Sequence, residues 1–292
     1  MHLLAPLASS ILYVFATLFL KQSANRGVGP WRTAFVCNWV TALMFQGLLG
    51  LGGTFPEWTE FWKPLVVAAL FVAGQTLTFM ALEKGEVSIA TPVISAKVVF
   101  VALFSVGLGV QEVRWPLWLA ASLSCAGVAV LNSGPRGRGP GSAVGRTVLY
   151  SLLAATAYAL FDVLVMRWSG PWGGSGRFLP VMLGFAGLLS CGFIPVFRAP
   201  LRAISAPAWR SLLGGAAAIA TQGFILINTL AHFGDATAVN VVYSSRGLWA
   251  VVLVWLIGQR FENRERDAGS GVFRRRILGA SLIAAAIGLV FV

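Results

Sequence analysis

Residues 13–20, YVFATLFL, align with residues 158–165, YALFDVLV, at an offset of 145 positions. Both segments begin with a tyrosine and lie in apolar runs of about 20 residues, the length that a transmembrane helix needs. The alignment continues along the chain in the same order, and after four inserted residues Lys97 falls on Arg246. An ordered set of matches between two halves indicates an internal repeat in a helical membrane protein.

The composition favours the same class of protein. Of the 292 residues, 57% are hydrophobic and only 11% are charged, whereas a soluble domain has about 25% charged residues. This excludes a large soluble domain and a disordered chain. The apolar runs are also continuous, whereas the strands of a β-barrel alternate apolar and polar residues. Ten spans are predicted, at 3–21, 32–52, 63–82, 88–110, 115–132, 146–167, 178–197, 208–230, 236–258 and 275–292.

The distribution of basic residues predicts the orientation in the membrane. Of the 22 Lys and Arg residues, 16 lie in loops after odd-numbered spans, four lie on the other side and two lie within spans. Cytoplasmic loops of membrane proteins carry an excess of Lys and Arg. We therefore predict that the odd loops are cytoplasmic and that both termini lie outside. The same distribution accounts for most of the net charge of +12, so no nucleic-acid partner is expected.

The predicted fold is an all-α integral membrane protein with ten transmembrane helices in two inverted five-helix repeats. The first repeat covers residues 1–132, a Gly/Pro-rich linker covers 133–145, and the second repeat covers 146–292. Because each half has an odd number of spans, the second half crosses the membrane in the opposite sense. Inverted repeats permit alternating access to a central site, and this favours a transport function.

The chain resembles the drug/metabolite transporter superfamily in its ten-span EamA-type branch. The resemblance covers the whole chain. Its local motifs are residues 81–85, ALEKG, and the matching residues 230–234, LAHFG, in the second half. It implies a secondary carrier in the bacterial inner membrane, for amino acids, sugars, nucleotide sugars, organic anions or drugs. It also implies cytoplasmic termini, whereas the charge distribution predicts termini outside, and we keep the latter expectation.

Three charged residues lie well inside predicted spans: Lys97, Asp162 and Arg246. A charge near the bilayer centre costs about 2.5–3.5 kcal/mol on insertion scales and almost always faces the bundle interior or water. The two cations are repeat mates that can converge on one anionic group, which resembles the phosphate-translocating branch of the superfamily. Asp162 is either a structural ion-pair partner or a proton-coupling group, and Tyr158, four residues earlier, shares its helix face.

Further candidates for substrate contact are polar or aromatic residues inside predicted spans. For each polar one, the alternative interpretation is an interhelical hydrogen bond worth about 0.6–2 kcal/mol, and for the tryptophan it is core packing. These candidates are Asn38, Gln75, Gln222, Asn240, Tyr243 and Trp249.

The function expected from the sequence is secondary active transport of a small anionic or zwitterionic metabolite, such as an amino acid or organic acid. The alternatives are a lipid-carrier flippase, an exporter of neutral or cationic compounds and, last, an integral membrane enzyme. No catalytic residue, metal or cofactor is predicted. The expected partners are a small-molecule substrate and the lipid bilayer, and the protein is expected to be a monomer or a homodimer.

Overall fold

Long apolar helices make up most of the described chain. The computed structural model describes residues 3–51, 54–84, 90, 93–131, 141–233, 235–257 and 270–290, and the regular structure within these ranges is helical. In chain order, the α-helices are α1 (Leu4–Asn25), α2 (Pro30–Gln46), α3 (Trp62–Lys84), α4 (Lys97–Gly107), α5 (Trp115–Leu131), α6 (Gly141–Ser169), α7 (Ser175–Ser190), α8 (Ala206–Phe233), α9 (Ala236–Tyr243), α10 (Arg246–Ile257) and α11 (Ser270–Val290).

Six helices in the described ranges are long and apolar enough to cross a membrane. They contain α1, α2, α3, α6, α7 and α8 and correspond to predicted spans 1, 2, 3, 6, 7 and 8. Shorter apolar helices lie at Val93–Gly107, Trp115–Val130 and Leu278–Val290, where spans 4, 5 and 10 are predicted. The regular structure of the described residues is therefore helical, and its several long apolar helices support a multi-pass membrane protein, while the total of ten spans stays a prediction. Most of the predicted linker, residues 133–140, lies outside the described residues.

The fourth predicted span is interrupted just before Lys97. Residues 93–95 are helical, Ala96 forms a turn, and α4 begins at Lys97. The amide of Ala96 donates to the carbonyl of Val93 at 3.1 Å, a bond between residues three apart that tightens the backbone locally. Lys97 is thus the first residue of a helix and not the middle of one.

The ninth predicted span is interrupted at the matching place. Ser244 and Ser245 form a turn between α9 and α10, and α10 begins at Arg246. The amide of Ser245 donates to the carbonyl of Val242 at 3.1 Å, again between residues three apart. The sequence predicted one continuous helix over 236–258, and the structure divides it in two.

Helices from different halves of the sequence pack against each other. Helix α1 packs on α8, α6 on α3, α2 on α7 and α8, α7 on α3, and α5 on α11. Near the interruptions, α4 contacts α6 and α9, while α9 and α10 contact α1. When the five predicted spans of one half are exchanged with those of the other, each of these helix pairs becomes either itself or another pair of the set. The opposed orientation of the two halves in a membrane stays a prediction.

Candidate functional site

Lys97 and Asp162 form an ion pair that joins α4 to α6. The Nζ atom of Lys97 lies 2.7 Å from Oδ2 of Asp162, whose side chain is only 2% exposed. Asn240 of α9 donates from Nδ2 to the same carboxylate oxygen at 2.7 Å, and also to the carbonyl of Ala236 at 2.9 Å. One buried carboxylate is therefore held by side chains from both of the interrupted spans. The sequence left open whether Asp162 pairs with Lys97 or with Arg246. In the structure its partner is Lys97.

Arg246 contacts aromatic rings. Its Cζ atom lies 5.0 Å from the centroid of the Tyr13 ring in α1 and 4.7 Å from that of Tyr243 in α9. Such cation–π contacts contribute about 0.5–2 kcal/mol each, but they leave the positive charge uncompensated. Among the residues that the structure describes, no Asp or Glu oxygen lies within ion-pair distance of this guanidinium.

Each cation lies over a tyrosine of the opposite half. Lys97, from the first half, lies 5.9 Å from the centroid of the Tyr158 ring in the second half. Arg246, from the second half, lies over the Tyr13 ring in the first half. Tyr13 and Tyr158 are the residues that open the two aligned segments. The two contacts are therefore equivalent under the sequence alignment, which matches Lys97 with Arg246 and Tyr158 with Tyr13.

The two cations belong to one cluster. The Tyr158 side chain, which lies under Lys97, also interacts electrostatically with Arg246. The Asp162 carboxylate interacts in the same way with Tyr243. The rings of Tyr13 and Tyr243 pack in an edge-to-face arrangement, with their centroids 6.0 Å apart. Of the described residues, two positive side chains, one negative side chain and three aromatic hydroxyls therefore share one region, and their formal charge is about +1.

Helix α3 supports Tyr158 from one side. A Cβ atom at Gly74 would lie 2.8 Å from the Tyr158 ring, so a side chain at position 74 would displace the ring. The Tyr158 hydroxyl forms a hydrogen bond with the side chain of Thr78, one turn further along α3. The glycine and the threonine together fix the ring under Lys97.

A hydrogen-bonded network from α1 and α8 positions Tyr243. The Tyr243 hydroxyl donates to Oε1 of Gln222 at 2.9 Å. Ser9 donates to the same oxygen at 3.1 Å and to the Gln222 carbonyl at 2.9 Å. At the interruption itself, the hydroxyls of Ser10 and Ser245 lie 3.0 Å apart. These four polar residues hold the ring of Tyr243 and the turn that precedes Arg246.

The repeat mate of Gln222 has a different environment. Gln75 and Asn38 form a reciprocal amide pair, with both hydrogen bonds at 2.9 Å. This pair joins α2 to α3, and none of its described contacts reaches the charged cluster. Of the sequence candidates, the structure therefore brings together Lys97, Tyr158, Asp162, Gln222, Asn240, Tyr243 and Arg246, and it places Asn38 and Gln75 in a separate interhelical contact.

Trp249 lies in α10, one turn after Arg246. Its Nε1 atom is buried and has no acceptor among the described residues. Residues three apart share a helix face, so this donor lies on the same side of α10 as the guanidinium. A buried N–H without an acceptor costs about 1–3 kcal/mol, and an acceptor on a bound molecule would remove this cost.

Some members of the cluster were not predicted from the sequence. The sequence predicted Tyr158 as a site residue and used Tyr13 only to align the two halves. The match between these tyrosines was a signal that Tyr13 also belongs to the site. Ser9, Ser10 and Ser245 carry no signal of their own, because small polar residues are common in membrane helices. Within the described ranges, His, Cys, Asp and Glu side chains form no group of three that could hold a metal ion.

Comparisons with known proteins bear on both the family and the fold. Residues 1–133 match the EamA-like transporter family. A comparison with curated proteins found no match. Among solved structures, 29 chains match, and one crystal structure superposes with a TM-score of 0.75 at 17% sequence identity, covering 100% of this chain and 98% of that chain. At this identity the likeness concerns the fold alone.

Proposed function

We propose that this chain, whose residues 1–133 match the EamA-like transporter family, is an EamA-type member of the drug/metabolite transporter superfamily and carries a small metabolite with a carboxylate group. Members of the family are membrane transporters. Arg246 of the charged cluster is the group that binds the substrate carboxylate.

The observation that carries this proposal is the uncompensated charge of Arg246. A buried cation in a membrane protein is costly unless an anion or water compensates it. Lys97 has such a partner in Asp162, whereas the described contacts of Arg246 are the rings of Tyr13 and Tyr243 and a hydrogen bond with the Tyr243 side chain, none of which carries a negative charge. A guanidinium matches a carboxylate in a bidentate geometry. The net charge of about +1 favours an anion or a zwitterion and disfavours cationic compounds.

The interrupted spans support the same proposal. Arg246 begins α10, and Lys97 begins α4. The amino-terminal end of a helix carries a partial positive charge of about half an elementary charge. Broken helices whose amino-terminal ends face the substrate are a recurring way in which transporters bind anionic groups at the membrane midplane. The helix dipole of α10 therefore adds to the attraction between Arg246 and a carboxylate.

The proposed mechanism is alternating access between two inverted halves. Two observations support this mechanism. The set of helix pairs stays the same when the two halves are interchanged, and the cation of each half contacts a tyrosine of the other half. Two halves with equivalent contacts permit two equivalent packings, one open to each side of the membrane. In this scheme Asp162, the deeply buried carboxylate of the cluster, is the proposed proton-coupling group at the step in which its ion pair with Lys97 opens.

Solute uptake into proteoliposomes tests the proposed substrate class. A thermal-shift screen with the protein amino acids and short organic acids first selects the tightest ligand, because bound ligand raises the apparent stability. Uptake of that ligand is then measured for the wild type, Arg246→Ala, Arg246→Lys and Arg202→Ala. The last variant is the control, since it removes an exposed arginine from a loop.

We expect Arg246→Ala to lower uptake by about tenfold or more, the equivalent of one charge-assisted hydrogen bond. Arg246→Lys should retain part of the activity, and Arg202→Ala should match the wild type. Carboxylate uptake by Arg246→Ala at the wild-type rate would contradict the proposal.

A further inference from the structure

The two halves differ at one position of the cluster. Asp162 lies four residues after Tyr158 in the second half, and the residue four positions after Tyr13 in the first half is Thr17. The same offset of 145 relates both pairs. The hydroxyl of Thr17 donates to the carbonyl of Val14 at 2.8 Å, so this side chain supplies no negative charge.

The difference explains why one cation is paired and the other is not. Lys97 lies over Tyr158, and Asp162, on the next turn of the same helix, neutralises it. Arg246 lies over Tyr13, and the next turn of that helix carries Thr17 in place of a carboxylate. Among the residues that the structure describes, there are therefore two equivalent cation–tyrosine contacts and a single internal counter-ion for them.

We infer that the single carboxylate of the cargo takes the place beside Arg246 that the Asp162 carboxylate takes beside Lys97. This inference rests on the proposed function and narrows its substrate class to compounds with one carboxylate. Asp162 is then a specificity-determining residue, because its ion pair with Lys97 leaves Arg246 as the cation that binds the cargo. A dicarboxylate would need both cations, and its second charge would meet Asp162.

Asn240 keeps this arrangement in place. Its amide donates to the Asp162 oxygen that also contacts Lys97, so the carboxylate has two donors and is held between α4 and α9. The carboxylate therefore has both a cation and an amide donor as direct partners. The ion pair therefore excludes a second anionic group of the cargo from Lys97.

The first experiment puts an internal carboxylate beside Arg246. Thr17→Asp is compared with Thr17→Asn, which has nearly the same size and no charge. The probe is the tightest ligand with one carboxylate from the screen, and its affinity is measured by titration calorimetry with purified protein. We expect Thr17→Asp to lower the affinity by about tenfold or more, because the new side chain competes for the guanidinium, and Thr17→Asn to stay near the wild type. Equal affinities in the two variants would overturn the inference.

The second experiment frees Lys97 and does not depend on the folding of the first pair of variants. Asp162→Asn removes the internal counter-ion, and Lys97→Gln with Asp162→Asn removes both charges. The probes are matched pairs that differ by one carboxylate, namely glutamine with glutamate and butyrate with succinate. We expect Asp162→Asn to shift the preference toward the second member of a pair by about tenfold. The double variant should keep the wild-type preference for one carboxylate.

The two proposals fail in different ways. A wild-type protein that binds no carboxylate from the panel would contradict the proposed function and this inference together. A wild-type protein that binds single carboxylates through Arg246, with Asp162→Asn unchanged in its preference, would overturn only the inference. A double variant that loses the single-carboxylate ligand would also overturn it, because Lys97 would then be part of the cargo site.

Discussion

At the scale of single residues, the site depends on how Tyr243 is oriented. Its ring contacts Arg246 at 4.7 Å, while its hydroxyl donates to Gln222 at 2.9 Å. Gln222 is in turn held by Ser9. A buried hydroxyl that loses its acceptor costs about 1–3 kcal/mol, so the ring would turn toward another partner if Gln222 were removed. Gln222 is therefore a positioning residue for the guanidinium.

This predicts different effects for the two repeat-mate glutamines. Gln222→Leu should weaken the affinity for the single-carboxylate ligand by about fivefold, the equivalent of about 1 kcal/mol. Gln75→Leu, the matched control, breaks the amide pair with Asn38 and should lower the melting temperature with little change in affinity. Calorimetry and thermal unfolding of both variants measure the two effects. Similar losses of affinity in both would rule out the positioning role.

The sequence predicted the charged residues of the site but not their pairing. Lys97, Asp162 and Arg246 are identifiable because a charge inside a membrane span is costly. Which cation Asp162 contacts depends on the packing of α4 on α6, and no local pattern reports that packing. The alignment of Tyr13 with Tyr158 also matches Thr17 with Asp162. It therefore indicates that the first half has no carboxylate at the position equivalent to Asp162.

At the scale of secondary-structure elements, the interruptions before Lys97 and Arg246 set the geometry of the site. The sequence predicted continuous spans there, because each apolar run is about 20 residues long. Serine pairs can nevertheless kink helices. Ser244 donates to the carbonyl of Val241 at 2.6 Å and Ser245 contacts Ser10, so the side chains compete with the helix for backbone groups. The boundaries of the long helices, which follow from apolar run length, were predicted more closely.

The contact between α1 and α8 allows a test with adjacent glycines. A Cβ atom at Gly215 would lie 2.5 Å from Cδ2 of Leu20, whereas one at Gly214 would lie 3.6 Å from the Phe19 ring. Overpacking a close helix contact costs about 1–3 kcal/mol. We expect Gly215→Ala to lower the free energy of unfolding by that amount and Gly214→Ala to leave it nearly unchanged. Unfolding of both variants in detergent gives the comparison, and equal stabilities would contradict the close packing.

At the scale of the whole molecule, the multi-pass helical fold was predictable and is confirmed, because it follows from composition and run length. The orientation in the membrane rests on the distribution of basic residues alone. The bundle of packed helices is compatible with either orientation, since packing between helices carries no information about which side is cytoplasmic. The number of spans and the orientation therefore need a direct measurement.

Cysteine labelling in intact cells tests the orientation. The three native cysteines, at positions 37, 125 and 191, are first replaced by alanine. Glu112→Cys and Arg202→Cys then place single thiols at exposed positions in an even and an odd loop. With odd loops in the cytoplasm, a membrane-impermeant maleimide should label position 112 and reach position 202 only after the cells are permeabilised. The opposite pattern would reverse the predicted topology.

The central claim is that Arg246 binds the carboxylate of the cargo while Lys97 stays paired with Asp162. An experimental structure of the protein with its tightest single-carboxylate ligand tests this claim most directly. We predict carboxylate oxygens about 2.7–2.9 Å from the Arg246 guanidinium nitrogens, with the Lys97–Asp162 ion pair intact. A ligand carboxylate on Lys97, with Arg246 contacting only its tyrosines, would contradict the claim.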